Sequence, residues 1–170
     1  EIDMEQEEEV RQAVRERYGA IAVAAEASCC DDGCCGDAAS LVGDAYTSVE
    51  GYVADADLGL GCGLPLEIAA LQPGQTVLDL GSGAGLDAFI AARQVEPAGR
   101  VIGVDMTPEM NEKARANAAK LGLDNVEFRL GEIEAMPVEA NTIDVAVSNC
   151  VLNLVPNKAR AFAEMYRVLK

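Results

Sequence analysis

Two groups of residues in this sequence have the types and spacing to do chemistry. The first is Asp79-x-Gly81-x-Gly83-x-Gly85, which follows the apolar run Thr76 to Leu80 and precedes an Ala- and Leu-rich stretch. Glycines at alternate positions let the chain turn tightly and leave no Cβ between main chain and ligand. A helix opening near Gly85 would add unpaired N–H groups and a positive dipole end. That is a corner for a nucleotide-like cofactor. The second group is sulfur: the six cysteines are Cys29-Cys30, Cys34-Cys35, Cys62 and Cys150, and histidine is absent. Soft thiolates select soft, thiophilic centres. Without histidine, the commonest general base and metal ligand is missing.

The glycine spacing separates two cofactor classes. A dinucleotide fingerprint reads Gly-x-Gly-x-x-Gly, and the position of its third glycine holds Leu86. This disfavours a nicotinamide-dependent oxidoreductase. The form found here resembles instead the first motif of class I S-adenosylmethionine-dependent methyltransferases, in which the acid and the loop hold the amino-acid end of the cofactor. Read as a bare connection, the loop would carry three glycines whose backbone entropy cost nothing requires.

The elements that must position these groups follow from periodicity. Strand Thr76 to Leu80, helix Leu86 to Val95, strand Arg100 to Asp105, helix Pro108 to Leu121 and strand Val126 to Leu130 alternate. A loop, strand Thr142 to Ser148 and helix Asn157 to Leu169 follow. Thr107 is the expected N-cap of the second helix, with Pro108 at its first position and Gly122 past its end. The pattern predicts an α/β fold, a doubly wound, mostly parallel Rossmann-like sheet in the order 3-2-1-4, cut after the fourth strand and its helix. Ligands then bind at the carboxyl ends of the strands beside the first. Asp105 ends the second strand, where an acid accepts hydrogen bonds from ribose hydroxyls; its plainer role is a cap before Thr107. Met106 adjoins it. Gly131-Glu132-Ile133-Glu134 ends the third strand, and Ser148-Asn149-Cys150 the fourth, with Cys150 facing the reactive end of the cofactor.

Ahead of this core, Glu5 to Tyr18 reads as an amphipathic helix with Val10, Ala13, Val14 and Tyr18 on one side and a solvated acidic first turn. Ala20 to Asp57 reads as a mobile loop over a pocket. Its paired cysteines suit zinc poorly, because adjacent thiols do not reach two corners of a tetrahedron. Nor does the acidic loop activate them. Cys62 lies between Gly61 and Gly63, before a short helix that Pro65 can start. Glycines on both sides let its sulfur approach a partner, and a helix N-terminus lowers a thiol pKa. The division expected is 1–72, an N-terminal helix and cysteine-bearing cap, and 73–170, an incomplete cofactor-binding core.

With 170 residues the chain can bury one real core. Its 13 basic and 29 acidic residues give a net charge of −16, which argues against nucleic acid or an anionic membrane surface as partner. The acidic N-terminus is unlike a signal peptide, and no apolar run is long enough to span a bilayer, so a cytoplasmic location is expected. In that compartment cysteines serve as ligands or catalytic thiols. The missing initiator Met and the end at Lys170 within a helical pattern suggest a piece of something longer. Such a cut exposes one edge of the fourth strand, which invites self-association.

With these residues assembled, the chain resembles the arsenite S-adenosylmethionine methyltransferases of the microbial type. The resemblance runs from Val14-Arg15-Glu16-Arg17-Tyr18 through the paired cysteines, Leu58-Gly59-Leu60-Gly61-Cys62-Gly63, the glycine loop and Gly131-Glu132-Ile133-Glu134 to Ser148-Asn149-Cys150-Val151. It implies S-adenosylmethionine as cofactor, held by Asp79, Gly81, Ser82, Gly83, Gly85, Asp105, Met106, Glu132, Ile133 and Asn149. It further implies As(III) held by Cys62 and Cys150, with an additional thiol among Cys29, Cys30, Cys34 and Cys35, of which Cys34 and Cys35 are the candidates carried forward. Arsenite as a thiol conjugate is the implied substrate, and a cellular thiol reductant the implied partner. The family's C-terminal arsenic-binding domain has no counterpart in these residues, so the piece alone is expected to be inactive. Two other readings stand beside it: a methyltransferase for a quinone-type or other small molecule, and a thiol module that binds metalloid or zinc without turnover.

Overall fold

A computed structural model describes residues 3–27, 49, 51–60 and 65–170. Four parallel strands, β1 (Thr76–Leu80), β2 (Arg100–Asp105), β3 (Val126–Leu130) and β4 (Val145–Ser148), lie in the order β3-β2-β1-β4. The helices are α1 (Met4–Ala27), α2 (Pro65–Ala69), α3 (Leu86–Gln94), α4 (Pro108–Leu121) and α5 (Lys158–Val168). The predicted strand order is thus observed. β1 is an inner strand, and the order reverses beside it.

Burial explains why the strands read as apolar runs. Val77, Leu78 and Leu80 of β1 have no exposed surface, and Val101, Ile102 and Val104 of β2 continue the same layer. One face packs Val77 and Val101 against Phe89 and Ile90 of α3 and Met110 and Ala114 of α4. The other packs Leu78, Leu80 and Ile102 against Ile133, Met136 and Val138 of the loop after β3 and against Ala161 and Val168 of α5. Phe89 and Phe128 meet edge-to-face at 5.7 Å, pinning α3 across the sheet. Among the described residues no helix is long and apolar enough to cross a membrane.

Several boundaries differ from expectation. α1 runs on to Ala27, absorbing residues assigned to a loop. Its stripe is also rotated: Val10 is 40% exposed, whereas Glu7, Arg11 and Ala22 are buried with Tyr18 beside them. Counting charge as solvent-facing failed here because the buried charges neutralise one another. Thr107 occupies the N-cap of α4 without a side-chain capping bond, while Asn157 caps α5 by accepting from the Arg160 N–H at 3.1 Å. β4 starts at Val145 rather than Thr142. The residues before it are not an open edge: Ile143 bridges Leu169 in parallel, and the Lys170 N–H donates to the Ile143 carbonyl at 3.0 Å. The end of the chain covers that stretch because α5 returns antiparallel to β4 and turns back at Leu169.

Candidate active site

The carboxyl ends of β1, β2, β3 and β4 open into one cavity, lined among others by Asp79, Gly81, Ser82, Gly83, Asp105, Met106, Glu132, Ile133, Asn149 and Cys150. These ten positions, singled out in the sequence, thus lie along one cavity. Gly85 is the exception among the cofactor candidates: it is the N-cap of α3 at φ +99°, and a Cβ there would lie 2.6 Å from Phe89 and 2.8 Å from Phe128. Its missing Cβ leaves room for those two rings. Cys29, Cys30, Cys34, Cys35 and Cys62 lie outside the described residues.

The glycine corner is built for close approach. The Gly81 and Ser82 N–H groups donate to the Val104 carbonyl at 2.8 and 3.2 Å, tying the turn to β2. Gly81 has φ +70°, and a Cβ there would come within 2.4 Å of Val151. The glycine therefore lets the residue after Cys150 pack directly on the loop. At Gly83, φ +51°, a Cβ would meet only Met110 Sδ at 3.9 Å, so this position opens on space.

Cys150 is the other special position. It carries φ +55°, a left-handed conformation unusual for a residue with a Cβ. Such strain survives where the surroundings enforce it, and it clusters at functional sites. Asn149 beside it donates from Nδ2 to Asp87 Oδ2 at 3.0 Å, linking the end of β4 to the first turn of α3. Cys150 is disulfide-bonded in this structure.

Carboxylates dominate the electrostatics. Asp79 is 3% exposed, and burial, reinforced by the charges of Asp87 and Asp105, holds its carboxyl well above the usual range; the Ala88 N–H opposes this. Asp105 is pushed up by burial, against hydrogen bonds from Thr107 N–H at 2.8 Å and Gly83 N–H at 3.0 Å. Asp105 thus caps its own turn, the plainer of the roles foreseen for it, and also steadies the glycine loop. A ligand bearing positive charge would relieve the repulsion among these acids.

α1 and the segment before α2 complete the wall, which periodicity did not reveal. Arg11, Val14 and Tyr18 enter from α1, and Ala56, Asp57, Leu58 and Leu60 from the segment ahead of α2. Asp57 is fixed by Tyr52 Oη, which donates to it at 3.0 Å, and by the Gly59 N–H at 2.9 Å. Asp87 was also missed. Its place in the first turn after the glycine loop was the available signal. Among the described residues no cluster of histidine, cysteine and acidic side chains could hold a metal ion.

Comparison with known proteins agrees with this geometry. Residues 71–170 match the family model described as a methyltransferase domain. The chain is 52% identical to an arsenite methyltransferase of Halobacterium salinarum over an alignment covering 96% of this chain and 45% of that protein. A solved arsenic(III) S-adenosylmethionine methyltransferase from Chlamydomonas reinhardtii is 45% identical, with a TM-score of 0.58 over 64% of this chain and 39% of that one. A ubiquinone/menaquinone biosynthesis C-methyltransferase of Hydrogenovibrio crunogenus is 34% identical over 62% of this chain and 42% of its own length. The chain thus spans less than half the length of these curated relatives. From the parallel order 3-2-1-4, the glycine corner and the family match, the chain belongs to the methyltransferase-domain family with the Rossmann-like fold of class I S-adenosylmethionine-dependent enzymes.

Proposed function

We propose that this chain is the cofactor-binding part of an enzyme that methylates thiolate-bound trivalent arsenic. One observation carries the reading: a cysteine held in a left-handed conformation at the carboxyl end of β4, in the wall of the same cavity as Asp79 and the glycine loop. The identity to arsenite methyltransferases supports it, and exceeds that to the quinone enzyme. A carbon or oxygen nucleophile would want a base, and the sequence has no histidine.

The residues present fit S-adenosylmethionine. Among the described residues Ser82 Oγ is buried without a hydrogen-bond partner and the space at Gly83 is open, and the acids around Asp79 suit a cationic amino-acid end. Asp105, Met106, Glu132 and Ile133 would hold the nucleoside, and Asp79, Gly81, Ser82, Gly83 and Asn149 the remainder. When bound, the cofactor supplies an electrophilic methyl group on a sulfonium. The protein's part is then placement: Cys150, with Cys62 as its partner and Cys34 or Cys35 as an additional thiol, holds arsenic with its lone pair aimed at the donor. Orientation of this kind can be worth several orders of magnitude, and no proton need be removed.

Cys150 must be a thiol to bind arsenic, so a cellular dithiol reductant reopens its disulfide, taking the oxidation onto itself by exchange. We further place the protein in the cytoplasm, divide it into a cap over 1–72 and a core over 73–170, and expect self-association through the exposed side of β4. The test, made on the whole enzyme of which this chain is a part, is transfer of labelled methyl from S-adenosylmethionine to arsenite, beside arsenite binding by parent and Cys150→Ser. Methylation lost with Cys150 supports the reading. Arsenite binding without turnover supports the non-catalytic thiol module, and turnover indifferent to Cys150 refutes both.

A further inference from the structure

Among the described residues, Arg11 of α1 is a buried cation, only 7% exposed. Its guanidinium donates to Glu134 from Nε at 3.3 Å and from an Nη at 3.1 Å, a two-pronged grip across the fold. It also pairs with Glu7 at 3.2 Å and Glu8 at 3.2 Å on its own helix, and with Glu132 at 3.4 Å. Glu134 and Glu7 are each 6% exposed. The same two carboxylates reach the start of α5: the Asn157 N–H donates to Glu134 at 3.0 Å and Asn157 Nδ2 to Glu7 at 3.0 Å, with Arg160 3.8 Å from Glu7.

Arg11 therefore ties two parts of the cavity wall directly, and a third through the carboxylates that it holds. α1 contributes Arg11, Val14 and Tyr18; the loop after β3 contributes Glu132 and Ile133; and Val151, Leu154, Val155 and Pro156, between Cys150 and Asn157, form the third side. Arg11 lines the cavity itself, which an ion pair serving only the fold need not do. Its planar fork satisfies Glu134 while steadying Glu132, a task one ammonium cannot duplicate.

We propose that Arg11 is a positioning residue for the cofactor: by holding Glu132 and Glu134 it fixes the wall after β3 and fastens α1 against the cavity, so that cofactor binding and closure of α1 are one event. Without the cation, Glu7, Glu132 and Glu134 repel one another at close range and α1 loses its anchor. This rests on the cofactor reading and is independent of arsenic.

Titration of the 170-residue chain with S-adenosylhomocysteine, read by calorimetry, tests it. Arg11→Met is expected to bind roughly tenfold or more weakly, the scale of losing one hydrogen bond to a charged group, and Arg11→Lys to fall between it and the parent. Hydrogen exchange on the unmutated chain supplies a second readout that no misfolded variant can spoil. If closure and binding are coupled, amides of residues 8–18 exchange up to about 100-fold more slowly at 100 times Kd. Unchanged exchange on saturation, or folded variants binding within about twofold of the parent, overturns the proposal. Failure of the parent to bind overturns the cofactor reading and this inference with it.

Discussion

Gly81→Ala tests how the cofactor loop and the Cys150 segment are joined. The added methyl would lie 2.4 Å from Val151 Cγ2, 2.7 Å from its Cβ and 3.0 Å from Cγ1, so no rotamer of Val151 relieves the overlap. Backbone must move, at a cost of about 1–3 kcal/mol for overpacking. The position also has φ +70°, which adds about 1–2 kcal/mol for a residue with a Cβ. The expected destabilisation is about 2–5 kcal/mol, a substantial part of the ~5–15 kcal/mol that holds a typical domain. Urea unfolding followed by circular dichroism would read the loss, and titration with S-adenosylhomocysteine the damage to the site. Pairing the change with Val151→Gly removes the overlap but leaves the backbone strain. The double variant should therefore recover about 1–3 kcal/mol relative to the sum of the singles. A single variant that loses less than about 1 kcal/mol and binds normally would refute the packing argument.

Other expectations follow from the same site. In the whole enzyme, Cys150→Ser should lower arsenite methylation by about 100-fold or more while leaving S-adenosylhomocysteine affinity within about twofold, measured by product formation and calorimetry; equal losses in both would make Cys150 a structural residue. Asp79 has a raised pKa in the fold, so its contribution to stability is present below its unfolded pKa and lost as pH rises through the folded value. Asp79→Asn should therefore raise the melting temperature of the ligand-free chain at neutral pH, with the gain fading in acid, and weaken cofactor binding; a lower melting temperature at neutral pH contradicts the burial argument. Gly85→Ala should destabilise through Phe89 and Phe128, with cofactor affinity of the folded fraction retained. Sedimentation at tens of micromolar should show species heavier than 17.8 kDa, and a clean monomer would exclude association through β4.

Strand order and the place of the cofactor corner were legible because their causes are local. Buried parallel strands are apolar runs, Gly122 and Pro108 mark the ends of α4, and right-handed crossovers leave few topologies once strands and helices alternate. Hence Asp79, Gly81, Gly83, Asp105 and Cys150 could be assigned to one end of the sheet from sequence. Gly85 shows what the motif leaves open: its position says only that a Cβ is excluded, and the structure supplies two phenyl rings that exclude one.

The N-terminal helix marks the other limit. Glu7 and Arg11 look like surface charges until Glu134, 123 positions beyond Arg11, supplies the partner that allows both to be buried. No periodicity within α1 contains that fact. The return of Leu169 to Ile143 is of the same kind, since pairing between distant segments is decided by the path of α5. Sequence alone determined which backbone turns and apolar strands form and where a cofactor meets them. Only the tertiary structure decided which charges are neutralised in the wall and how Cys150 is strained, because those depend on groups that folding alone brings within a few ångströms.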